Sequence, residues 1–452
     1  MGRLFGTDGI RGVANEYPLT AEGSYQVGRA MASFFHRPVR QTKIIIGKDT
    51  RQSGTMIEKA LADGICSVGA DVFLAGIIST PAIACLVAGG DAAAGIVISA
   101  SHNPYTDNGI KLFDADGYKL PDAKEDEIEG LMQAESQGDP DPAGKNQRIR
   151  GKVKRLTDAS ERYLEFLKNS LPGPTPFNGM KVVLDCSNGA TYAMAPRLFR
   201  DLGAAVEAIS IEPNGRNINA DCGSEHPDGL IDRVLTQKAD VGLAFDGDGD
   251  RLVAVDEQGQ VVSGDRTLAI CARNLKRKGL LRNNLVISTV MSNLGLRLAL
   301  KDMGIDHIMT AVGDRYVLEQ MRARDAVIGG EDSGHMIFLD RHTTGDGMLT
   351  AIRLMDSMRD EKKKLSELRR VMTVLPQVLL NMDVQHKPEI ESVPQLMEVI
   401  RAVEAQLGDK GRVLVRYSGT QPLCRVMVEG PREEETRAYC QQIADVVKTT
   451  LG

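Results

Sequence analysis

The sequence contains no apolar run long enough to cross a membrane and no excess of positive charge. None of its hydrophobic stretches approaches the roughly 20 residues of a spanning helix, and the formal net charge is -6 over 452 residues. A basic surface for nucleic acid or for an anionic membrane is therefore not expected. A hydrophobic content of 42% with 26% charged residues is ordinary for a globular protein.

Cysteine is scarce and scattered. The seven cysteines are odd in number, and no two of them are spaced as CxxC. Neither a disulfide framework nor a zinc site is indicated. The stretch MGRLFGTDGIRG at the N-terminus lacks the apolar centre of a signal peptide. We therefore expect a cytoplasmic protein of a reducing compartment, without nucleic-acid or membrane partners.

One pattern occurs three times along the chain. An apolar strand, a polar loop and helix-like sequence follow one another from residues 43, 181 and 284. In each repeat a second apolar strand then leads into a loop of unusual composition: IVISASHNP (96–104), VGLAFDGDGDR (241–251) and AVIGGEDSGH (326–335). Continuous Val/Ile/Leu strands alternating with helices predict parallel-rich sheets. Ligands bind beyond the carboxyl ends of such strands, so these loops are candidate site loops.

The repeats and a composition change near residue 370 divide the chain into an α/β fold of three similar mixed α/β domains and a smaller C-terminal α+β domain. The predicted domains are residues 1–155, 156–253, 254–369 and 370–452. The Pro/Gly-rich stretch 136–147 is predicted to be a linker. A helix is predicted over 157–169, with Asp158 or Ser160 as its cap.

The DGDGDR loop is a candidate metal site. Asp246, Asp248 and Asp250 alternate with glycines, which permit a tight backbone path, so their carboxylates can converge on one point. Three such oxygens suit a hard cation such as Mg²⁺. An EF-hand would need glycine at its sixth position, where this chain has Arg251, and the flanking residues are typical of strands. A plain Gly-Asp hairpin turn is the remaining alternative.

The serine loop has two interpretations. His102 is expected to be a poor base for Ser101, because adjacent side chains leave the backbone in different directions, and no G-x-S-x-G elbow surrounds the serine. A serine hydrolase is therefore disfavoured. As a phosphate carrier, Ser101 would bear a charge of about -1.5 to -2 and would complete a Mg²⁺ site with the three aspartates. A simple turn remains the alternative.

The segment RYSGT (416–420) lies between two predicted strands and carries groups suited to a phosphate. Arg416, the hydroxyls of Ser418 and Thr420, and free backbone N–H groups are typical of a phosphate cradle. Arg425 lies nearby in sequence. A hairpin turn explains SGT equally well.

The segment GGEDSGH (329–335) carries groups suited to a sugar. Glu331 and Ser333 are candidates for hydrogen bonds to sugar hydroxyls, and His335 is either a proton carrier or a structural histidine. Lys111 follows the serine loop by ten residues. It is either a site residue or an ordinary surface lysine.

Together and in this order, the four loops resemble those of the α-D-phosphohexomutase family: the serine loop, DGDGDR, GE-x-SGH and R-x-SGT. The resemblance covers essentially the whole chain and implies four domains around a central cleft. FGTDGIRG (5–12), SASHNP and R-x-SGT are most similar to the branch that interconverts glucosamine 6-phosphate and glucosamine 1-phosphate through a 1,6-bisphosphate, supplying UDP-N-acetylglucosamine synthesis. The resemblance also implies a sugar-phosphate substrate, Mg²⁺ as cofactor and a homodimer.

The resemblance further implies a role for each matched residue. Ser101 would be the phosphoserine, and Mg²⁺ would bind its phosphate together with the three aspartates. By the same matching, Arg11 and Arg251 would support the transferring phosphate, and Lys111 and His335 would be the acid/base candidates. Glu331 and Ser333 would select the sugar. The distal phosphate site would consist of Arg416, Ser418, Gly419, Thr420 and Arg425.

Three positions depart from the pattern of that branch. Tyr417 and Gln421 flank SGT where Lys and Glu are usual, and losing one charge of each sign leaves the local charge unchanged. Asp332 stands where Asn or Gln is commoner. Its carboxylate would either attract the ammonium of an amino sugar or face solvent.

Three other functions fit parts of the pattern. They are a phosphomannomutase or phosphoglucomutase acting on neutral hexoses, a Mg²⁺-dependent sugar phosphatase, and a non-catalytic sugar-phosphate sensor. An aspartyl-phosphate phosphatase would not need Ser101, whereas a mutase would. The sequence leaves open whether an activating kinase or the bisphosphate first phosphorylates Ser101, and whether Lys111 or His335 is the general acid/base.

Overall fold

A computed structural model describes residues 4–6, 8–37, 40–136, 150–171, 173, 175–418 and 422–452. The chain divides into two compact units, Met1–Val290 with Ile308–Arg369 and Met291–His307 with Arg370–Gly452. Two sequence predictions fall outside the described residues. These are the linker from residue 137 onward, and Gly419 and Thr420 of the R-x-SGT loop.

The N-terminal sheet of the larger unit has seven strands among the described residues. They are β1 (Phe5–Gly6), β2 (Gly9–Val13), β3 (Lys43–Lys48), β4 (Asp71–Ile77), β5 (Ala94–Ile98), β6 (Asp107–Asp114) and β7 (Val153–Arg155), in the spatial order β1-β2-β6-β5-β3-β4-β7. The helices are α1 (Ala21–Phe34), α2 (Gly54–Ser67), α3 (Thr80–Ala88) and α4 (Asp122–Ser136). Strand β3 pairs in parallel with β4 and β5, whereas β6 is antiparallel to β5 and β2.

The second sheet has the order β12-β11-β10-β8-β9. Its strands are β8 (Lys181–Asp185), β9 (Ala205–Ile209), β10 (Val241–Phe245), β11 (Leu252–Asp256) and β12 (Val261–Val262), and its helices are α5 (Ala159–Lys168), α6 (Met194–Asp201) and α7 (Asp228–Gln237). Strand β8 is parallel to β9 and β10, and β10 is antiparallel to β11. The arrangement around β8 therefore repeats that around β3.

The third sheet has the order β14-β13-β15-β16. Its strands are β13 (Leu285–Thr289), β14 (Asp306–Thr310), β15 (Ile328–Gly330) and β16 (Met336–Phe338). The helices of this part of the sequence are α8 (Gly264–Arg277), α9 (Leu294–Asp302), α10 (Asp314–Ala323), α11 (Gly347–Glu361) and α12 (Leu365–Leu368), with short 3₁₀ turns at Arg282–Asn284 and Arg369–Val371. Strand β13 is parallel to β15, and β15 is antiparallel to β16.

The C-terminal sheet belongs to the smaller unit and is antiparallel, with the order β17-β19-β18. Its strands are β17 (Gln377–Asp383), β18 (Arg412–Tyr417) and β19 (Leu423–Glu429); the helices are α13 (Pro394–Leu407) and α14 (Glu433–Leu451), with 3₁₀ turns at Ile390–Ser392 and Gly408–Lys410. Aliphatic residues of both helices pack with those of the strands in one core. The predicted α+β character of this region is confirmed.

In each of the first three sheets, a parallel strand is followed directly by its antiparallel neighbour. The pairs are β5 with β6, β10 with β11, and β15 with β16. The three loops of unusual composition connect these pairs, so each one begins at the carboxyl end of a parallel strand, as predicted. The fold class predicted from the sequence is thereby confirmed.

The helix predicted over 157–169 is α5. Asp158 is its N-cap residue, as one of the two predicted alternatives had it. No side-chain cap bond forms among the described residues, because φ of -100° and ψ of 8° place Asp158 outside the extended conformation that such a bond uses. No helix among the described residues combines the length and apolar content needed to cross a bilayer.

The packing of α1 on α2 depends on two glycines. A Cβ atom at Gly28 would lie 2.4 Å from the carbonyl oxygen of Leu61, and one at Gly64 would lie 2.2 Å from that of Tyr25. Because each obstacle is backbone of the facing helix, neither helix can accommodate even a methyl group without moving away. These helices pack beside the sheet that carries the serine loop.

We predict that Gly28→Ala lowers the free energy of unfolding by about 1–3 kcal/mol, since overpacking a close helix contact costs that much. Gly130→Ala is the matched control, because Gly130 is exposed in α4 with nothing near its Cβ position. The control should be neutral or stabilising by up to ~1 kcal/mol. Urea unfolding followed by circular dichroism measures both, and equal stabilities of the two variants would contradict the packing argument.

Candidate active site

Ser101 lies just beyond β5, at the carboxyl end of the strand. All five residues of β5 are buried, which explains the apolar run before the loop. Ser101 has a left-handed backbone, with φ of 52°, and is 1% exposed. Its hydroxyl donates a hydrogen bond to Oδ2 of Asp246 at 2.5 Å. The fold therefore brings the serine loop against the aspartate loop, 145 residues farther along the chain.

The expectation that His102 points away from Ser101 is wrong. The hydroxyl of Ser101 lies 3.3 Å from Nδ1 of His102, because the left-handed conformation of Ser101 turns the two side chains toward each other. A hydroxyl has one proton, and the shorter contact to Asp246 uses it. Because that proton is directed at Asp246, the geometry does not make His102 the base of Ser101.

The three aspartates of DGDGDR converge in the turn between β10 and β11. One carboxylate oxygen from each of Asp246, Asp248 and Asp250 lies within 4.8 Å of the others, and all three residues are buried. Oδ1 of Asp248 and Oδ1 of Asp250 have no hydrogen-bond partner among the described residues. Buried, unpartnered carboxylate oxygens at this spacing are the donor set of a hard divalent cation. The residues fit a metal site.

The pKa values of Asp246 and Asp250 are shifted in opposite directions. Burial, and then the charges of Asp250 and Asp248, raise the pKa of Asp246 well above its usual value. Burial alone would also raise the pKa of Asp250, but Lys111 and His335 hold it well below that value. One carboxylate of the three is thus unfavourable as an anion without a further positive charge.

Lys111 supplies one positive charge to the cluster and is itself buried. Its ammonium lies 2.7 Å from Asp248, 3.0 Å from Asp8 and 3.3 Å from Asp250. Burial would lower the pKa of Lys111, but these three carboxylates raise it well above the usual value. Lys111 is therefore held as a cation and is no surface residue.

His335 lies between two carboxylates. Its Nδ1 is 3.6 Å from Oδ2 of Asp250, and its Nε2 is 3.5 Å from Oδ2 of Asp314. Burial lowers the pKa of His335, yet Asp250 and Asp314 together raise it above the ordinary value. Nε2 has no hydrogen-bond partner among the described residues. The ring can therefore take up or release a proton at Nε2, as a proton carrier must.

Two arginines flank the serine and aspartate loops. Arg11 pairs with Asp8 at 2.6 Å and donates to the carbonyl oxygen of Ala100 at 3.3 Å. The backbone N–H of Arg251 donates to Oδ1 of Asp246 at 3.1 Å. The Arg251 guanidinium lies 3.4 Å from Glu225. The structure brings both predicted arginines to the loop that carries Ser101.

The sugar-loop residues follow β15. Oε1 of Glu331 accepts a hydrogen bond from the backbone N–H of Gly313 at 3.1 Å, and the hydroxyl of Ser333 has no partner among the described residues. Asp332 is exposed, in agreement with the solvent-facing alternative. Oδ1 of its carboxylate accepts a hydrogen bond from the backbone N–H of Asp265 at 2.9 Å, within the first turn of α8. Asp332 therefore also caps this helix, a role that the sequence analysis did not predict.

These groups surround a cavity of about 520 Å³ in the larger unit. Five of the residues singled out in the sequence line it: Arg11, Asp250, Arg251, Glu331 and His335. The other lining residues are Leu4, Gly6, Asp8, Gly9, His102, Lys119, Val312, Gly313 and Asp314. Its size is within the range of small-molecule sites. Its lining includes three cations, Arg11, Lys119 and Arg251, which suit a phosphate, and carboxylates, which can accept hydrogen bonds from hydroxyl groups.

Sequence reasoning missed the pairing of Lys119 with two carboxylates at this cavity. The Lys119 ammonium lies 2.5 Å from Asp8 and 2.5 Å from Asp314. Asp8 lies inside the quoted FGTDGIRG motif, three residues before Arg11, and was therefore within reach of a motif-based argument. Lys119 and Asp314 are separated by 195 residues, and nothing local marks either as a site residue.

The R-x-SGT loop belongs to the smaller unit. Arg416 on β18 and Arg425 on β19 are cross-strand partners, so their guanidinium groups share one stretch of the sheet. Neither has a carboxylate partner among the described residues. Burial, and then the like charge of Arg425, lower the pKa of Arg416. Lys387 donates to the carbonyl oxygen of Ser418 at 2.8 Å. Two neighbouring arginines without a carboxylate partner among the described residues are typical of an anion site.

Comparison with known protein families accounts for nearly the whole chain. The family models for phosphoglucomutase/phosphomannomutase match in four consecutive parts: the alpha/beta/alpha domains I, II and III over residues 2–139, 161–259 and 263–375, and the C-terminal domain over residues 379–446. The chain belongs to this family. It is therefore an enzyme, an isomerase of the hexose-phosphate mutase class.

Similar proteins narrow the assignment within that class. The phosphoglucosamine mutases of Syntrophus aciditrophicus and Syntrophobacter fumaroxidans are 57% and 54% identical to it, and each match covers 100% of both chains. The chain belongs with the phosphoglucosamine mutases.

Solved structures support the fold. A phosphoglucomutase/phosphomannomutase family protein of Burkholderia thailandensis gives a TM-score of 0.80 at 24% identity, covering 99% of this chain and 97% of that one. The N-acetylphosphoglucosamine mutase of Aspergillus fumigatus, solved with GlcNAc-6P and magnesium, gives 0.69 at 17% identity, covering 99% and 96%. At these identities the likeness concerns the fold alone.

We predict that Mg²⁺ stabilises the protein through the aspartate loop. At a concentration 100-fold above its dissociation constant, a ligand of the folded state adds about 2.7 kcal/mol. Thermal unfolding should therefore shift upward with Mg²⁺, and Asp246→Asn should remove most of the shift. Asp232→Asn, an exposed carboxylate on α7, is the control and should keep it. An equal shift in Asp246→Asn and the control would place the ion elsewhere.

Proposed function

We propose that this protein interconverts glucosamine 6-phosphate and glucosamine 1-phosphate through a phosphoserine at Ser101 and a glucosamine 1,6-bisphosphate intermediate. The observation that carries the proposal is the 2.5 Å contact between the Ser101 hydroxyl and Asp246. His102, the next residue, lines a cavity together with Arg11 and Arg251. The relatives named phosphoglucosamine mutase support the choice of sugar.

The chemistry is two phosphoryl transfers. In the first, the free sugar oxygen attacks the phosphorus of phosphoserine 101, its bond to the serine Oγ breaks, and the sugar becomes a bisphosphate. In the second, the serine oxygen takes the other phosphoryl group from the bisphosphate, which leaves the isomerised monophosphate. Such transfers depend on positioning and on neutralisation of charge. Arg11 and Arg251 would neutralise the moving phosphoryl group.

A proton must leave the attacking hydroxyl and reach the oxygen that departs. His335 is the better candidate, because it lines the cavity and its Nε2, 3.5 Å from Asp314, makes no hydrogen bond among the described residues. Lys111 is held between three carboxylates and does not line the cavity. We propose that Lys111 balances the charge of the aspartates, and that His335 carries the proton.

Mg²⁺ would be held by Asp246, Asp248 and Asp250 together with a phosphate oxygen on Ser101. When bound, it would supply the positive charge that the buried aspartates lack and would withdraw electrons from the phosphoryl group. The raised pKa of Asp246 agrees with this need. The aspartates themselves fix the position of the loop against the serine.

The rest of the substrate would be bound at its sugar and at its second phosphate. Glu331 and Ser333 would accept and donate hydrogen bonds to the sugar. Arg416 and Arg425 would hold the phosphate that does not react, with Ser418, Gly419 and Thr420 of the same loop. Binding energy from the remote phosphate would then orient the reacting end.

Ser101→Ala should abolish mutase turnover, because no other group of the loop can carry the phosphoryl group to both ends of the sugar. The wild-type protein, first phosphorylated with a hexose 1,6-bisphosphate, should convert glucosamine 1-phosphate at least tenfold more efficiently in kcat/KM than glucose 1-phosphate or mannose 1-phosphate. Tenfold corresponds to about 1.4 kcal/mol. Coupled product assays with Mg²⁺ measure both.

The outcomes separate the alternatives. An active Ser101→Ala variant would contradict the phosphoserine mechanism. Inorganic phosphate released without isomerised sugar would indicate a phosphatase. Equal or better turnover of a neutral hexose phosphate would keep the mechanism and move the protein to the phosphoglucomutases and phosphomannomutases.

Arg425→Gln should lower kcat/KM at least tenfold, since a hydrogen bond to a charged group contributes about 1.5–3 kcal/mol. The phosphoserine content of the variant should stay unchanged, because the arginine would act on the other phosphate. Arg437→Gln on α14 is the control, as its exposed guanidinium pairs only with Glu433 among the described residues. A kcat/KM of Arg425→Gln within twofold of the control would show that the loop binds no phosphate.

A further inference from the structure

The serine loop is held by a side chain from another loop of its own domain. Arg51 follows β3, and its guanidinium is fully buried. Its Nη2 donates to the carbonyl oxygens of Ser101 and Asn103, at 2.8 Å each. Its Nη1 donates to those of Pro104 and Asp107. One cation thus satisfies four carbonyl groups of the serine loop.

A second side chain reaches the same two carbonyl groups from the α/β domain that follows in sequence. Nδ2 of Asn219, in the segment between β9 and α7, donates to the carbonyl oxygen of Ser101 at 2.9 Å and to that of Asn103 at 3.0 Å. The backbone N–H of Asn219 is itself bound to the carbonyl oxygen of Ser187 at 2.9 Å. Hydrogen bonds therefore hold both the backbone of Asn219 and its side-chain amide group.

The backbone N–H of Ser101 is tied to the same network. It donates to the hydroxyl of Ser99 at 3.0 Å, and that hydroxyl donates to Asp49 at 2.5 Å. Asp49 also accepts from Nε of Arg51 at 2.8 Å. Both polar groups of the Ser101 backbone thus lead to the buried Asp49–Arg51 pair.

Such anchoring has a physical reason. A left-handed conformation is unfavourable for a residue other than glycine and persists where the surroundings enforce it. The space is also restricted from the aspartate loop, because a Cβ atom at Gly247 would lie 2.5 Å from the Ser101 carbonyl oxygen. The direction of the Ser101 side chain is therefore set by what binds its carbonyl group.

We propose that Asn219 is a positioning residue for phosphoryl transfer. Acting with Arg51 on the carbonyl groups of Ser101 and Asn103, it aims the Ser101 oxygen at the reacting phosphorus. The inference rests on the proposed function, in which Ser101 carries the phosphoryl group. A displacement of about 1 Å at a reacting atom can cost on the order of 100-fold in rate. Asn219 does not line the cavity and makes no hydrogen bond to the aspartate carboxylates among the described residues, so its effect on sugar binding should be small.

Asn219→Asp tests the proposal. The variant keeps the size of the side chain and the tolerance for φ of 58°, but a carboxylate cannot donate to the two carbonyl oxygens. We expect kcat to fall at least tenfold while KM stays within about twofold. Single-turnover transfer from phosphorylated enzyme to glucosamine 6-phosphate should slow by the same factor as kcat. Arg51 is the less suitable site, because removing it would take the cation from the buried carboxylate of Asp49 and withdraw hydrogen bonds from four carbonyl groups at once.

Asn217→Asp is the matched control. Nδ2 of Asn217 donates to the carbonyl oxygen of Glu212 at 3.0 Å in the same loop and makes no bond to the serine loop among the described residues. Its kcat and KM should stay within twofold of the wild type. Asn219→Asp with an unchanged kcat, or the same loss in both variants, would overturn the positioning role. An inactive wild type would instead refute the proposed function, so the two failures are distinguishable.

Discussion

The structure depends on one electrostatic constraint, the burial of three carboxylates at the end of a single strand. Buried carboxylates with oxygens within 4.8 Å of one another oppose one another's ionisation unless positive charge lies nearby. Lys111, from the first α/β domain, supplies positive charge to Asp248 and Asp250. The raised pKa of Asp246 shows that the negative charge of the cluster is not fully balanced. The serine hydroxyl is bonded to that same carboxylate. The serine that we propose as the phosphoryl carrier therefore lies at the site of missing charge.

Topology explains how this meeting is possible. In each of the first three sheets, a parallel strand runs into a loop and returns as its antiparallel neighbour, so each loop lies at an end of the sheet, beyond a buried strand. This strand–loop–strand arrangement occurs three times and gives three loops with different side chains. The serine, aspartate and sugar loops then bring Ser101, three buried aspartates and His335 to one region of the larger unit.

The cavity shows the same principle on a larger scale. Lys119 bridges Asp8 and Asp314, while His335 lies between Asp250 and Asp314. These contacts hold long or ionisable side chains in place through opposite charges, at low exposure, where such pairs are weakly screened. Removing one partner would leave the other buried without compensation. The side chains around the cavity are thus positioned by opposite charges that also maintain the fold around them.

Local sequence determined much of this protein. The fold class, the three strand-end loops, α5 and the convergence of Asp246, Asp248 and Asp250 follow from apolar periodicity and from glycine spacing, which act over a few residues. Tertiary structure alone decided the contacts between distant segments. It placed Lys119 with Asp314 and Asn219 against the serine loop, turned His102 toward Ser101, and made Asp332 a helix cap. Such pairings depend on how the domains pack and on the left-handed backbone of Ser101. Neither produces a periodic pattern that can be recognised in the sequence.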